Sequence, residues 1–158
     1  MTDFEKIFSE NRDFIFKYLM KLCRDVSLAS ELTQETFFRA YINFSALKNR
    51  EKVSVWLCSI AKNTYFAWYN EQKKMSLAEM PEAESGSESV EDRVLRKELS
   101  DKALAQLHNL GEPYKEVFML SVFGGFSLKD ISKVFGKSES WARVTFYRAK
   151  QQLSERME

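Results

Sequence analysis

Cysteine and histidine are scarce in this chain: only Cys23 and Cys58 carry thiols, neither in a Cys-x-x-Cys pair, and His108 is the single histidine. A disulfide framework and a zinc site both need more ligands than that. Long apolar runs are missing too. The longest nearly apolar stretch, Val117 to Phe126, is about half of what a membrane helix requires. No secretory signal stands at the N-terminus, so a cytoplasmic protein without membrane insertion is expected. No segment reads as a strand, and no His, Cys or carboxylate constellation accompanies a plausible pocket, so an enzyme is the least expected class and no cofactor is expected. Gly136, Lys137 and Ser138 read GKS, but a phosphate-binding loop needs a glycine where Ile131 stands and a strand before it.

What is present suffices for packed cores: 44% of the 158 residues are hydrophobic and 14% aromatic. The net charge of +1 conceals a partition. Residues 1–75 carry 12 Lys+Arg against 9 Asp+Glu, residues 76–110 carry 4 against 8, and residues 111–158 carry 8 against 6. Two basic ends therefore flank an acidic middle. Within that middle, Met75 to Ser89 has four glutamates and four serines with one proline and one glycine, which reads as a linker. A flexible chain of this length spans about 20 Å, enough to hold two modules apart or let them move.

Apolar periodicity predicts an all-α fold of two small helical domains, residues 1–74 and 90–158, joined by the acidic linker 75–89. In the first, Phe4, Ile7, Phe8, Ile15, Tyr18, Leu19 and Leu22 form a stripe broken at Asn11. Ser27 to Asn43 and Lys52 to Lys74 give two further helices. In the second domain, Leu95, Leu99, Ala103, Leu107 and Leu110 share one face of a helix, and Pro113 suits the first turn of the next.

The last segment carries the most information. Ser127, three residues before Asp130, signals a helix start, and Gly136 follows the last apolar residue of that short helix. Ser138 can cap a second helix, in which Ala142, Phe146, Ala149 and Leu153 face inward. This is a helix-turn-helix. Its outer side displays Ser140, Arg143, Val144, Tyr147 and Arg148, with Trp141 beside them, a set suited to a major groove. An αα-hairpin that merely packs is the plainer alternative.

A second surface lies on the third helix. Val53, Trp56, Leu57, Ile60, Thr64, Ala67 and Trp68 make an apolar stripe for the core, while Lys62, Phe66, Tyr69 and Lys73, with Asn63 alongside, alternate cations and rings on the opposite side. Cations follow phosphates and rings stack on bases, so this side suits single-stranded or opened DNA. Equally, Phe66 and Tyr69 fit a helix buried on two sides. The preceding loop adds Lys48, Arg50 and Lys52.

Taken together the residues resemble the bacterial sigma-70 family of RNA polymerase sigma factors, in its small extracytoplasmic-function (ECF) group. Glu31 to Ala40 (ELTQETFFRA) is similar to the family's polymerase-binding helix, and Trp56 to Asn63 (WLCSIAKN) to its promoter-melting helix. Leu110, Tyr114, Val117, Leu120, Phe126, Ser127, Ile131, Gly136, Ser138 and Arg148-Ala149 resemble its C-terminal promoter-binding domain. The resemblance implies core polymerase contacts at Glu31, Leu32, Gln34, Glu35, Phe38 and Arg39. It implies minus-10 contacts at Lys48, Asn49, Arg50, Lys52, Lys62, Asn63, Phe66, Tyr69 and Lys73, and minus-35 contacts at Ser138, Ser140, Trp141, Arg143, Val144, Tyr147 and Arg148. The expected partners are core RNA polymerase, promoter DNA as duplex and opened strand, and an anti-sigma factor. Ala67, Val53, Ser140 to Arg143 and Thr145 depart from the usual pattern, so promoter sequence does not carry over. A stand-alone helix-turn-helix regulator and a sigma-like polymerase adaptor are the alternatives.

Overall fold

A computed structural model describes residues 2–78 and 101–157, and among these every regular element is helical. The N-terminal half is a bundle of α1 (Asp3–Cys23), α2 (Val26–Ile42) and α3 (Val53–Ala78), with two short 3-10 turns, Phe44–Ala46 and Arg50–Lys52, between the last two. Thr2 opens α1 through a capping box: its hydroxyl accepts from the Glu5 amide at 3.2 Å, while the Glu5 carboxylate accepts from the Thr2 amide at 2.9 Å. Arg24 closes α1 in the left-handed region, and Asp25 at once caps α2 by accepting from the Leu28 amide.

The break in the α1 stripe has a use. Asn11 is buried, donates to the Ile7 carbonyl at 2.9 Å and accepts from the Ser54 hydroxyl at 3.0 Å, so a polar residue in the apolar seam ties α1 to the start of α3. On α2, Thr33 and Thr36 stay buried by returning their hydroxyls to the carbonyls one turn earlier. The third helix runs to Ala78, past Lys74 where the sequence suggested its end, so the first residues of the expected linker are helical. The rest of that linker, and the start of the C-terminal module expected at residue 90, lie outside the described residues.

In the C-terminal half, α4 occupies 101–109, followed by α5 (Tyr114–Val122), α6 (Leu128–Phe135) and α7 (Glu139–Met157). Pro113 stands at the N-cap of α5. After α5 the chain turns sharply, and a Cβ on Gly124 would sit 2.7 Å from the Leu120 carbonyl oxygen and 2.9 Å from the Phe126 ring. The expected punctuation of the last two helices is present. Ser127 accepts from the Asp130 amide at 3.1 Å, Gly136 adopts φ 64°, and the Gly136 and Lys137 amides bond back to Lys133 and Ser132.

The two halves are packed on one another. Tyr18 meets Phe123, Phe14 meets Phe126, and the Lys21 ammonium donates to the Phe123 carbonyl at 3.2 Å, so α1 lies against the turn after α5. The buried apolar cluster is continuous from one half into the other.

Candidate nucleic-acid interface

The helix-turn-helix offers the more open of two surfaces. Ser138 caps α7 by accepting from the Trp141 amide at 3.1 Å, and its own residue remains exposed. Ala142, Thr145 and Ala149 are buried and Phe146 stacks on Phe118, which fixes the inward side of α7. Ser140, Arg143, Val144, Tyr147 and Arg148 are consequently all exposed, with Tyr147 at 64%. Arg143 donates to Glu139 at 3.3 Å, an exposed pair that contributes little to stability.

Two positions on α7 lie off this exposed side. Trp141 is half-buried with its ring centroid 5.3 Å from that of Phe135, so it fills the elbow between α6 and α7. Thr145, one of the departures from the family's usual pattern, is buried and belongs to the inward side with Ala142 and Ala149.

The α3 surface is different. Lys48, Asn49, Lys52, Asn63 and Lys73 are exposed and Tyr69 is half-buried, while nothing is described of the Arg50 side chain. Lys62 and Phe66, expected on an exposed line, are only 6% and 5% exposed. The cause is the C-terminal half, which docks on this side. Lys62 donates to Glu112 at 2.9 Å and also to Glu116. The Phe66 ring stacks on His108 with centroids 5.0 Å apart and planes 20° apart, and the Lys115 ammonium lies 4.0 Å from its centre. Tyr69 meets the same imidazole edge-on at 5.6 Å, and Asn70 bonds it at 3.0 Å. Alongside runs a groove of about 600 Å³ whose lining includes Lys48, Asn49 and Lys52 as well as Glu112, Pro113 and Glu116.

Electrostatics follow from this closure. Burial pulls the Lys62 ammonium toward neutrality, but Glu116 and then Glu112 more than offset it, and its pKa ends above the ordinary value. His108 is pushed down by burial and by Lys115 and Lys73, and its Nδ1 is buried without a partner. Lys115 is lowered by burial and by Lys62, against the pull of Glu112 and Glu116.

On α2, Glu31, Gln34, Glu35 and Phe38 are exposed and Arg39 is half-buried, paired with Glu35 at 3.0 Å, whereas Leu32 points into the bundle. Tyr41 and Ile42, beyond the expected set, extend the apolar edge begun by Phe38. The inward side of α2 is taken up instead by Leu32 and Phe37 with the small residues Ala29, Thr33, Thr36 and Ala40.

Sequence reading also missed Glu112, Glu116, His108 and Lys115 as neighbours of α3. Helical spacing could not have signalled the carboxylates, because Glu112 lies in the turn before α5 and only Glu116 is on the helix.

Comparison with known proteins adds to this geometry. Residues 7–74 match the Sigma-70 region 2 family and residues 100–153 the Sigma-70, region 4 family. The RNA polymerase sigma factor YlaC of Bacillus subtilis is 25% identical over 157 residues, covering 97% of this chain and 91% of YlaC. The ECF RNA polymerase sigma factor SigM of the same organism is 24% identical over 150 residues, covering 94% of this chain and 91% of SigM. Among solved structures, the sigma factor RpoE of Bartonella quintana, crystallised with the anti-sigma factor NepR, superposes with a TM-score of 0.56 at 17% identity, covering 99% of this chain and 98% of RpoE.

Proposed function

The chain belongs to the sigma-70 family of RNA polymerase sigma factors, in its extracytoplasmic-function group, and from that premise we propose how its surfaces divide the work of transcription initiation. The protein joins bacterial core RNA polymerase, recognises the minus-35 and minus-10 elements of a promoter, and promotes opening of the DNA. It acts in the cytoplasm as an initiation factor and not as an enzyme. No helix among the described residues is long and apolar enough to cross a membrane.

The observation that carries the minus-35 assignment is the free side of α7, where Ser140, Arg143, Val144, Tyr147 and Arg148 are exposed together behind the Gly136 turn. Ser138 and Trp141 support that side, the first as cap and the second as the wedge on Phe135. Opened minus-10 DNA is assigned to α3 and its preceding loop, through Lys48, Asn49, Arg50, Lys52, Lys62, Asn63, Phe66, Tyr69 and Lys73. Extruding a base costs a few kcal/mol, which stacking and a fitted pocket offset without nucleotide hydrolysis.

Core polymerase is assigned to the outer side of α2: Glu31, Gln34, Glu35, Phe38 and Arg39, with Leu32 holding the helix from beneath. The same apolar edge offers a seat for an anti-sigma factor. The division into a region 2 domain (1–74), a linker (75–89) and a region 4 domain (90–158) is part of this reading. Transcription from a genomic promoter library with purified bacterial core polymerase tests it. Core-dependent initiation is expected, and the absence of both core binding and initiation would sink the assignment.

A further inference from the structure

We propose that the cavity where α1, α4, α5 and α7 meet is a binding site for a small amphipathic anion, a medium-chain carboxylate whose tail enters the cavity and whose head meets Lys21 and Arg24. It stands apart from the surfaces assigned to DNA and to core polymerase.

Size and lining set the class of ligand. The cavity measures about 230 Å³. An apolar cavity of about 150 Å³ holds one benzene ring, so by proportion this one takes about nine non-hydrogen atoms. That is the body of a small molecule and too little for a peptide segment. Leu22 and Leu107, only 3% and 4% exposed, line it together with Leu104 and Phe118. Ala103 and Val122, also in the lining, are exposed and leave a way in from solvent. The room has a source in the sequence: on α4 an alanine, Ala103, stands four residues before Leu107 in the leucine stripe, where a longer side chain would fill part of the space.

The charged part of the lining has one sign. Lys21 and Arg24 supply it, and among the described residues that line the cavity none is acidic. Lys21 directs one of its three N–H donors to the Phe123 carbonyl at 3.2 Å, which leaves two. The Arg24 guanidinium has no ion pair among the described residues. Its backbone nevertheless holds φ 54°, a left-handed position that glycine takes at lower cost. The strain is thus borne by a residue whose side chain is free to meet a ligand. A few convergent polar groups over an apolar cavity are the usual build of a small-molecule site. Since α1 belongs to one half and α4, α5 and α7 to the other, the bound anion touches both and stabilises their packing by mass action.

The test uses the full chain with octanoate, 1-octanol and octylamine as matched probes, read by titration calorimetry and thermal unfolding. Octanoate is expected to saturate at one per chain with a Kd of about 0.1 to 1 mM, in range for a ligand of its size. Octylamine should bind about tenfold more weakly, with octanol between them. Hexanoate, two methylenes shorter, should also lose about tenfold. The melting temperature should climb with octanoate concentration. Absence of saturable octanoate binding overturns the proposal, as does octylamine binding equally well.

Two variants place the site. Ala103→Trp, at an exposed position, puts a ring into the cavity and should abolish octanoate binding. Arg24→Gly removes the guanidinium and the backbone strain together, so the unliganded chain should melt no lower than the native one while octanoate affinity falls about five- to tenfold. An arginine with a purely structural role would not separate those two readouts. Should Ala103→Trp misfold, Arg24→Gly decides, and undiminished octanoate binding in Arg24→Gly or in a folded Ala103→Trp overturns the assignment.

Discussion

Glycine shows how far a single residue can be read from its neighbours. Gly136 was legible because a left-handed position after the last apolar residue of a helix is a local requirement, and the backbone there adopts φ 64°. Gly124 was not. Its need for a missing side chain arises from the Leu120 carbonyl and the Phe126 ring folding back over it, which depends on how the turn after α5 closes. The two should differ in consequence. Gly136→Ala places a Cβ in open space on a strained backbone and is expected to cost about 1 kcal/mol. Gly124→Ala drives a Cβ against backbone and ring at 2.7 and 2.9 Å and is expected to cost more, about 2 to 3 kcal/mol. Urea unfolding midpoints of the two variants rank them directly, and the opposite order would show that the turn after α5 yields more easily than its packing suggests.

Among the elements, α7 was the best read and α3 the most altered. The stripe of Ala142, Phe146 and Ala149 correctly turned Arg143, Val144, Tyr147 and Arg148 outward, because a helix packed on one neighbour obeys its own periodicity. Trp141 escaped that rule: at the start of α7 it reaches sideways to Phe135, a contact that the angle between two helices decides. Replacing these two residues should therefore separate recognition from support. Arg143→Ala is expected to weaken promoter binding by about 1 to 3 kcal/mol and to relax preference at one or two minus-35 positions. Trp141→Ala is expected to lower stability by about 1 to 3 kcal/mol with loss of activity across all minus-35 sequences alike, while Trp141→Phe restores most of it. A promoter-library assay paired with thermal unfolding checks both, and a sequence-selective shift from Trp141→Ala would move that ring into the groove.

At the scale of the whole molecule, the charge partition and the two helical sets were legible because each belongs to one half. Their docking was not, since linker composition reveals how far two modules can reach and says nothing of where they meet. Lys62 and Phe66 are buried only because Glu112, Glu116 and His108 arrive from the C-terminal half. That origin limits what breaking the contact can cost. Stranding a buried lysine inside one rigid bundle costs about 3 to 5 kcal/mol, but here the ammonium regains water when the halves part, so the loss cannot exceed the free energy of closure.

Acid should expose the same hinge. His108 is lowered in the closed form by burial and by Lys115 on α5 and Lys73 on α3, with Tyr69 on α3 and Asp101 on its own helix as the other ionisable groups nearby. The open form, with its imidazole near the ordinary value of about 6.5, then binds the proton more readily. Closure is thus fully favoured above about pH 6.5 and is lost progressively as pH falls toward the depressed value of the closed state. The radius of gyration is expected to grow between about pH 7.5 and pH 5.5, a window that stays above the usual glutamate range near 4.3. His108→Phe keeps a ring on Phe66 without a proton to gain, so its radius should stay flat across that window. Identical growth in the variant would assign the acid response to other groups and leave the imidazole a purely stacking role.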